Sequence, residues 1–474
     1  MSATIKCLEP NTHNTLKVQN DVASPPQYSD EALALRFADE HAHDARYVAL
    51  WGQWMHYDGR QWKPDVSLIA VRNARDVCRT ASAETGNLPI ASRLASAGTI
   101  YAVEKLARAD KRLAANVDMW DADPWQLNTP DHVVDLRTGK KRPHDPFDYH
   151  TRMTAVSPHN GCPLWMSFLD RIFAANNDMI GYLQRLAGYA LTGRTAEHVM
   201  GFCHGSGANG KSTLLNTLSG ILGNYSAVAP MDALTASAID RHPTEIAMLR
   251  GARLVTANET EEGRRWAEAR IKALTGGDPI TARQLYCDPF TFIPQFKLVV
   301  AGNHKPGLTG VDEAIRRRIH LVPFTVTIPT EERDPALCEK LKAEWPGILA
   351  WAIEGCLNWQ TVGLKPPPAV VEATERYLES EDAISLWIEE RCEKSKTEWE
   401  SSSALYASWK HWAECAGEYA SSQKRFIQVL ESKGLMSVRK AKGRGILGLR
   451  LRHDVPVTHA SMTLVTGKNK TSKK

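Results

Sequence analysis

Residues 205–212 read Gly-Ser-Gly-Ala-Asn-Gly-Lys-Ser, and no other stretch of the 474 residues restricts the fold as strongly. The octet fits G-x-x-x-x-G-K-[ST], a loop whose backbone N–H groups wrap the phosphates of a nucleoside triphosphate. Gly205, Gly207 and Gly210 let the chain turn tightly with its N–H groups facing inward, and Ser206, Ala208 and Asn209 complete that cradle. Lys211 reaches the β- and γ-phosphates as a point charge. The Ser212 hydroxyl ligates Mg²⁺, and Thr213 adds a second hydroxyl beside it.

The flanks supply the context such a loop needs. His198 to Cys203 read as a short buried strand. Leu214, Leu215, Leu218, Ile221 and Leu222 fall at helical spacing, and Gly223 follows as a stop signal. Strand, glycine loop and helix in that order also place a helix N-terminus at the phosphates.

The length allows two to four domains with sizeable cores. Apolar residues at 43% and charged residues at 24% are the values of an ordinary soluble protein. No apolar run is long enough to cross a bilayer, and the N-terminus lacks a secretion-signal pattern. None of the nine cysteines forms a C-x-x-C pair, which argues against a zinc ribbon and a disulfide framework. The expected setting is a reducing cytoplasm, in a bacterial host or from a prophage, with no membrane partner. The net charge of +4 is unevenly placed: from Lys424 onward Glu431 and Asp454 are the only acids. A basic end piece points to a polyanion, nucleic acid being the commonest.

Six segments are expected. Residues 1–29 form a polar disordered tail. Residues 30–160 form an α+β N-terminal domain, starting at the N-cap-like Ser29 and containing an Asp58-Gly59 hairpin turn. Residues 161–363 hold the NTPase domain behind a helical collar, 364–373 a proline-rich linker, 374–455 a helical region ending in a basic hairpin, and 456–474 a basic tail.

Downstream pieces narrow the chemistry. Arg253 to Glu259 form a strand-like run ending in a carboxylate, with Glu261 and Glu262 behind it. Hydrolysis needs such a group to organise Mg²⁺ and polarise water. Lys297 to Asn303 form another buried strand, whose terminal amide can orient water and sense the γ-phosphate. The following Asn303-His304-Lys305-Pro306 lacks the acid that reads guanine, which favours ATP. Arg316, Arg317 and Arg318 precede a further strand, and one of them is placed to act as a finger toward a neighbouring subunit. Between the two strands, Lys272 and a hairpin over 280–296 with Arg283 and Tyr286 suit a grip on single-stranded DNA.

This series resembles the superfamily 3 helicase domain of the primase–helicases of phages, plasmids, prophages and poxviruses. Gly205–Thr213, Arg253–Gly263, Lys272–Arg283, Lys297–Pro306 and Asp312–Phe324 carry the resemblance. Trp54, Asp58, Gly59, Trp62 and the 128–139 stretch are similar to the family's helicase-associated N-terminal region. The resemblance implies an α/β fold: a phosphate-loop core of modified AAA+ type with a winged-helix-like DNA-binding domain behind it. It also implies ATP and Mg²⁺ held between the subunits of a hexamer, with 3′→5′ translocation on single-stranded and forked DNA. By the same carry-over, Lys211 and Ser212 bind nucleotide and metal. Glu259 is the acidic end and a metal ligand, Asn303 the sensor, and Arg317 or Arg318 the finger. One departure is that Gln284, Leu285 and Cys287 stand where many relatives have a basic residue. A separate primase or polymerase is an expected partner. An ATP-switched DNA-loading protein and a primase are the alternative functions.

Overall fold

The computed structural model describes residues 24–452, except 160, 237–243, 260–263, 284–287, 309–311, 417–419, 421 and 441–442. Residues 1–23 of the expected tail 1–29, the whole of the expected tail 456–474, and the residues Glu261 and Tyr286 lie outside the described residues. The chain divides into two compact units, one of residues 1–122 with 144–151 and one of 123–143 with 152–474.

The first unit starts where Ser29 caps the helix Asp30–His41, its hydroxyl accepting from Ala32 N at 3.2 Å. A three-stranded antiparallel sheet follows, with Asp58-Gly59 as the expected turn. The Asp58 carboxylate accepts from the Arg60 and Gln61 amides, and Gly59 takes φ +93°. The helical periodicity over 66–117 resolves into Ile69–Glu84, Leu88–Leu94 and Ala97–Ala107.

The strands Gln126–Asn128, Val133–Asp135 and Lys140–Arg142 belong to the second unit, so the division does not fall at the expected residue 160. Leu127, Val134 and Leu136 are buried in the core cluster that also takes Trp165, Leu186 and Leu254. Arg253 ties these strands down further. Its buried guanidinium donates to the carbonyls of Gln126 and Leu191, each at 2.7 Å.

The centre of the second unit is a five-stranded, all-parallel sheet. Its order is Ile319–Pro323, Met200–His204, Lys297–Gly302, Leu254–Glu259, Ser226–Val228. Numbered along the chain, that is 5-1-4-3-2. Parallel strands buried on both faces read as continuous apolar runs, as Leu298 to Ala301 do. Side-chain alternation splits them: Val299 and Ala301 face the cluster around helices Pro163–Ile172, Asn177–Leu191 and Trp345–Val362. Leu298 and Val300 face a second cluster with Trp266, Ile271 and Tyr377.

The extended piece after residue 363 is shorter than expected. Pro368 opens the helix Pro368–Ser380, where its missing N–H has no partner to lose. That helix covers the edge strand Ile319–Pro323, and its Thr374 hydroxyl accepts from Leu321 N at 2.9 Å. Residues 368–373 are therefore part of the core packing and no linker.

Beyond it come Ala383–Arg391, the strand Cys392–Ser401, the helices Ser402–Ala416 and Gln423–Ser432, and the hairpin Met436–Lys440 and Gly443–Leu451. The helices and hairpin match the sequence reading. The strand Cys392–Ser401 was not expected, because Glu393, Lys394, Lys396 and Glu398 mask its periodicity. It pairs with Gly443–Leu451 to make a three-stranded sheet over a separate core of Trp387, Leu405, Trp409, Phe426 and Leu449. Among the described residues no helix is long and apolar enough to cross a membrane.

Candidate nucleotide-binding site

The loop 205–210 joins the strand Met200–His204 to the helix Lys211–Leu222 at the carboxyl edge of the parallel sheet, where ligands of such sheets bind. Its glycines are needed for different reasons. Gly207 and Gly210 take φ of +101° and +84°. Gly205 is required by space, since a Cβ there would stand 2.3 Å from both Asn209 Nδ2 and the Phe324 carbonyl. Ala208 also adopts a left-handed φ of +49°, a conformation that costs a residue with a Cβ about 1–2 kcal/mol. Such strain persists where the surroundings over-determine it. Here the Ala208 carbonyl accepts from Ile328 N at 2.8 Å.

Lys211 is 5% exposed. Its ammonium donates to the Gly205 carbonyl at 2.6 Å, to Asn209 Oδ1 at 3.0 Å and to Asn303 Oδ1 at 3.2 Å. An ammonium has three N–H donors, and these three acceptors are all neutral. Burial pushes the Lys211 pKa down. A desolvated cation on neutral oxygens is poised to be stabilised by an anion. The Ser212 side is exposed and Thr213 is half-buried on the first helical turn, where the helix dipole is positive.

Two neighbouring strands end beside this loop. Gly302 pairs with His204 on one side and with Glu259 on the other. Asn303 is thus one residue past a strand end, and Glu259 closes the next strand. His204 is half-buried there. Burial, with Lys305 and Lys211 adding repulsion, holds its imidazole neutral with a pKa lowered to about 4.

The structure separates the arginines. Asp312 caps the short helix Glu313–Arg316, accepting from Ile315 N at 2.8 Å. Arg317 is exposed, whereas Arg318 is 9% exposed and its Nη1 donates back to the Ala314 carbonyl at 2.9 Å. Lys272, on the helix Glu268–Gly276, is ion-paired with Asp312. The hairpin Ile280–Arg283 with Pro289–Phe292 is present, with Arg283 exposed opposite Pro289, and Ala282 and Phe292 turned into the core.

Known proteins agree with this layout. Residues 34–174 match the family model described as D5 N terminal like, and residues 203–318 match a family described as of unknown function, DUF5906. "Putative helicase 022R" of Frog virus 3 (isolate Goorha) is 26% identical over 273 residues, 53% of this chain and 28% of that protein. "Putative helicase L207/L206" of Acanthamoeba polyphaga mimivirus is 29% identical over 242 residues, 47% of this chain and 25% of that protein. The chain therefore matches about a quarter of the length of these relatives. The A form apo structure of the NrS-1 C terminal region covers 89% of this chain and all of that one, with 9% identity and a TM-score of 0.50. These matches support a phage and viral primase–helicase family for the chain.

Two parts of the site escaped the sequence reading. The Asn209 side chain, 3% exposed, bridges the Phe324 carbonyl and the Lys211 ammonium, a role invisible at a variable position of the motif. The contacts of the loop after Asn303 with residues far along the chain were also missed, because nothing local marks them.

Proposed function

We propose that this chain is the motor part of an ATP-dependent DNA helicase that drives replication of a phage, prophage or plasmid. The observation that carries the reading is the Lys211 ammonium, buried on Gly205, Asn209 and Asn303 at the carboxyl edge of a parallel sheet. In this reading the loop 205–210 holds the phosphates of ATP. Mg²⁺ sits on Ser212, with Glu259 at the adjoining strand end, and Asn303 aligns the attacking water. Those residue types fit the group: neutral oxygens hold the Lys211 ammonium beside a glycine-rich loop able to turn N–H groups toward phosphate, and hydroxyls stand at the first helical turn. The 5-1-4-3-2 strand order supports a modified AAA+ core, in which a site at a subunit edge is completed by a neighbour. Arg317, exposed where Arg318 is buried, is our candidate for the finger. The hexamer, the 3′→5′ direction and a grip by Arg283 on single-stranded DNA rest on the family's likeness. The helix–strand–helix–helix–hairpin module after residue 382 supports a winged-helix contact with DNA.

Strand displacement on a forked substrate tests the motor. Wild type is expected to unwind with ATP and Mg²⁺, and Lys211→Ala to lose hydrolysis by about 100-fold or more while keeping DNA binding. A wild-type chain that hydrolyses ATP on DNA yet separates no strands would instead be an ATP-switched loading protein.

A further inference from the structure

Tyr377 lies outside every motif, yet its hydroxyl joins the two segments that follow the hydrolytic candidates. The hydroxyl accepts from Trp266 Nε1 at 2.9 Å and donates to the Pro306 carbonyl. Trp266 comes seven residues after Glu259, and Pro306 three residues after Asn303. The backbone joins the same two segments: Gly307 N donates to the Arg264 carbonyl at 2.8 Å, and Trp266 N donates to the Gly307 carbonyl at 2.9 Å. Lys305 stands 5.7 Å from the centre of the Tyr377 ring. Tyr377 is fully buried and Trp266 is 1% exposed, so neither polar group can turn to water if its partner is lost.

The helix that carries Tyr377 also reaches the C-terminal module. Glu381, one residue beyond its end, accepts from Leu308 N at 3.0 Å. The next residue, Asp382, caps the helix Ala383–Arg391 and is ion-paired with Lys433. A continuous set of bonds thus runs from Lys211 through Asn303 and its loop to Tyr377 and Glu381, and then to Lys433. Hydrolysis depends on where the strand-end carboxylate and the water-aligning amide stand relative to each other, and a shift of about 1 Å can cost on the order of 100-fold in rate.

We propose that Tyr377 is a positioning residue for nucleotide hydrolysis: it fixes the spacing of the Glu259 and Asn303 strand ends and transmits the position of the C-terminal module to them. This rests on the ATP-hydrolysis reading above. Tyr377→Phe keeps the ring and deletes the hydroxyl bonds to Trp266 and Pro306.

The test uses the full chain. Tyr377→Phe is expected to lower kcat for ATP hydrolysis about tenfold, with KM and the affinity for a nonhydrolysable ATP analogue within about twofold of wild type. Val370→Ala, a buried change on the same helix that touches neither loop, should lower the melting temperature and leave kcat alone. Lys433→Met should keep basal hydrolysis and lose its stimulation by DNA. A Tyr377→Phe chain with wild-type kcat overturns the proposal, as does a kcat loss that Val370→Ala reproduces at equal melting temperature. Unaltered DNA stimulation in Lys433→Met overturns the link to the C-terminal module. A wild type that hydrolyses no nucleotide overturns the underlying reading and this proposal with it, a result distinct from an active wild type with an equally active Tyr377→Phe.

Discussion

Two buried histidines give the site region a pH dependence that belongs to single residues. His204 and His320 are each held at a pKa of about 4 against an ordinary value of 6.5, in both cases by burial first. His204 also faces Lys305, Lys211 and His304, and accepts the influence of the Asn303 backbone; His320 faces the Tyr182 hydroxyl, 2.9 Å from its Nδ1. The unfolded chain therefore takes up protons first as pH falls. The stability from these groups is whole above pH 6.5 and is lost as pH falls toward 4. Melting temperature is expected to drop between pH 7 and pH 5, and His320→Gln should shallow that drop. At this scale the motif residues were legible because their chemistry is local. Lys211 and Asn303 were both named from sequence, but their 3.2 Å contact joins positions 92 residues apart.

Element packing depends on two glycines that no motif marks. A Cβ on Gly188 would lie 2.0 Å from Cys356 N, and one on Gly355 would lie 2.0 Å from the Gln184 carbonyl. The helices Asn177–Leu191 and Trp345–Val362 thus cross with their backbones nearly touching. Gly188→Ala is expected to cost about 3 kcal/mol or more, read by denaturant unfolding, because a well-packed backbone cannot move aside. The C-terminal hairpin carries like charges in register beside its buried Ile446 and Leu449. Arg439 and Arg444 are direct cross-strand partners, and Lys440 stands beside them over the Trp399 ring at 5.6 Å. Like charges placed opposite each other destabilise a ladder, which is consistent with a phosphate contact. Arg439→Glu with Arg444→Glu is expected to weaken duplex DNA binding and to lower the slope of log K against log salt by about 2, measured by salt titration. Sequence patterning found these helices and hairpins wherever one face is apolar. It missed the strand Cys392–Ser401, whose alternation is hidden by Glu393, Lys394, Lys396 and Glu398.

At the scale of the whole molecule, the boundary after residue 363 decides what can be removed. Val370, Tyr377 and Leu378 are each at most 1% exposed, and each contributes about 2 kcal/mol by burial. Set against a total stability of about 5–15 kcal/mol, their loss is severe. A chain ending at Glu381 is expected to stay soluble with a cooperative melt. One ending at Lys365 is expected to lose that melt, as circular dichroism would show, since Ile319–Pro323 would be stripped of its cover. The proline run 366–368 looked like the start of a linker because proline favours extended chain, but the same fixed φ suits a first helical turn.

The sequence by itself determined the glycine-rich loop 205–210, the strand–loop–helix around it and the order of the strand ends that follow. These rest on interactions within about ten residues, where residue type and spacing dictate backbone conformation. Tertiary structure alone decided that Asn209 and Asn303 share the Lys211 ammonium, that Arg318 is buried while Arg317 is exposed, and that Tyr377 bridges two loops. Each of those facts is a meeting of side chains brought together by sheet order and helix packing, and no local pattern encodes which distant partner a buried polar group will find.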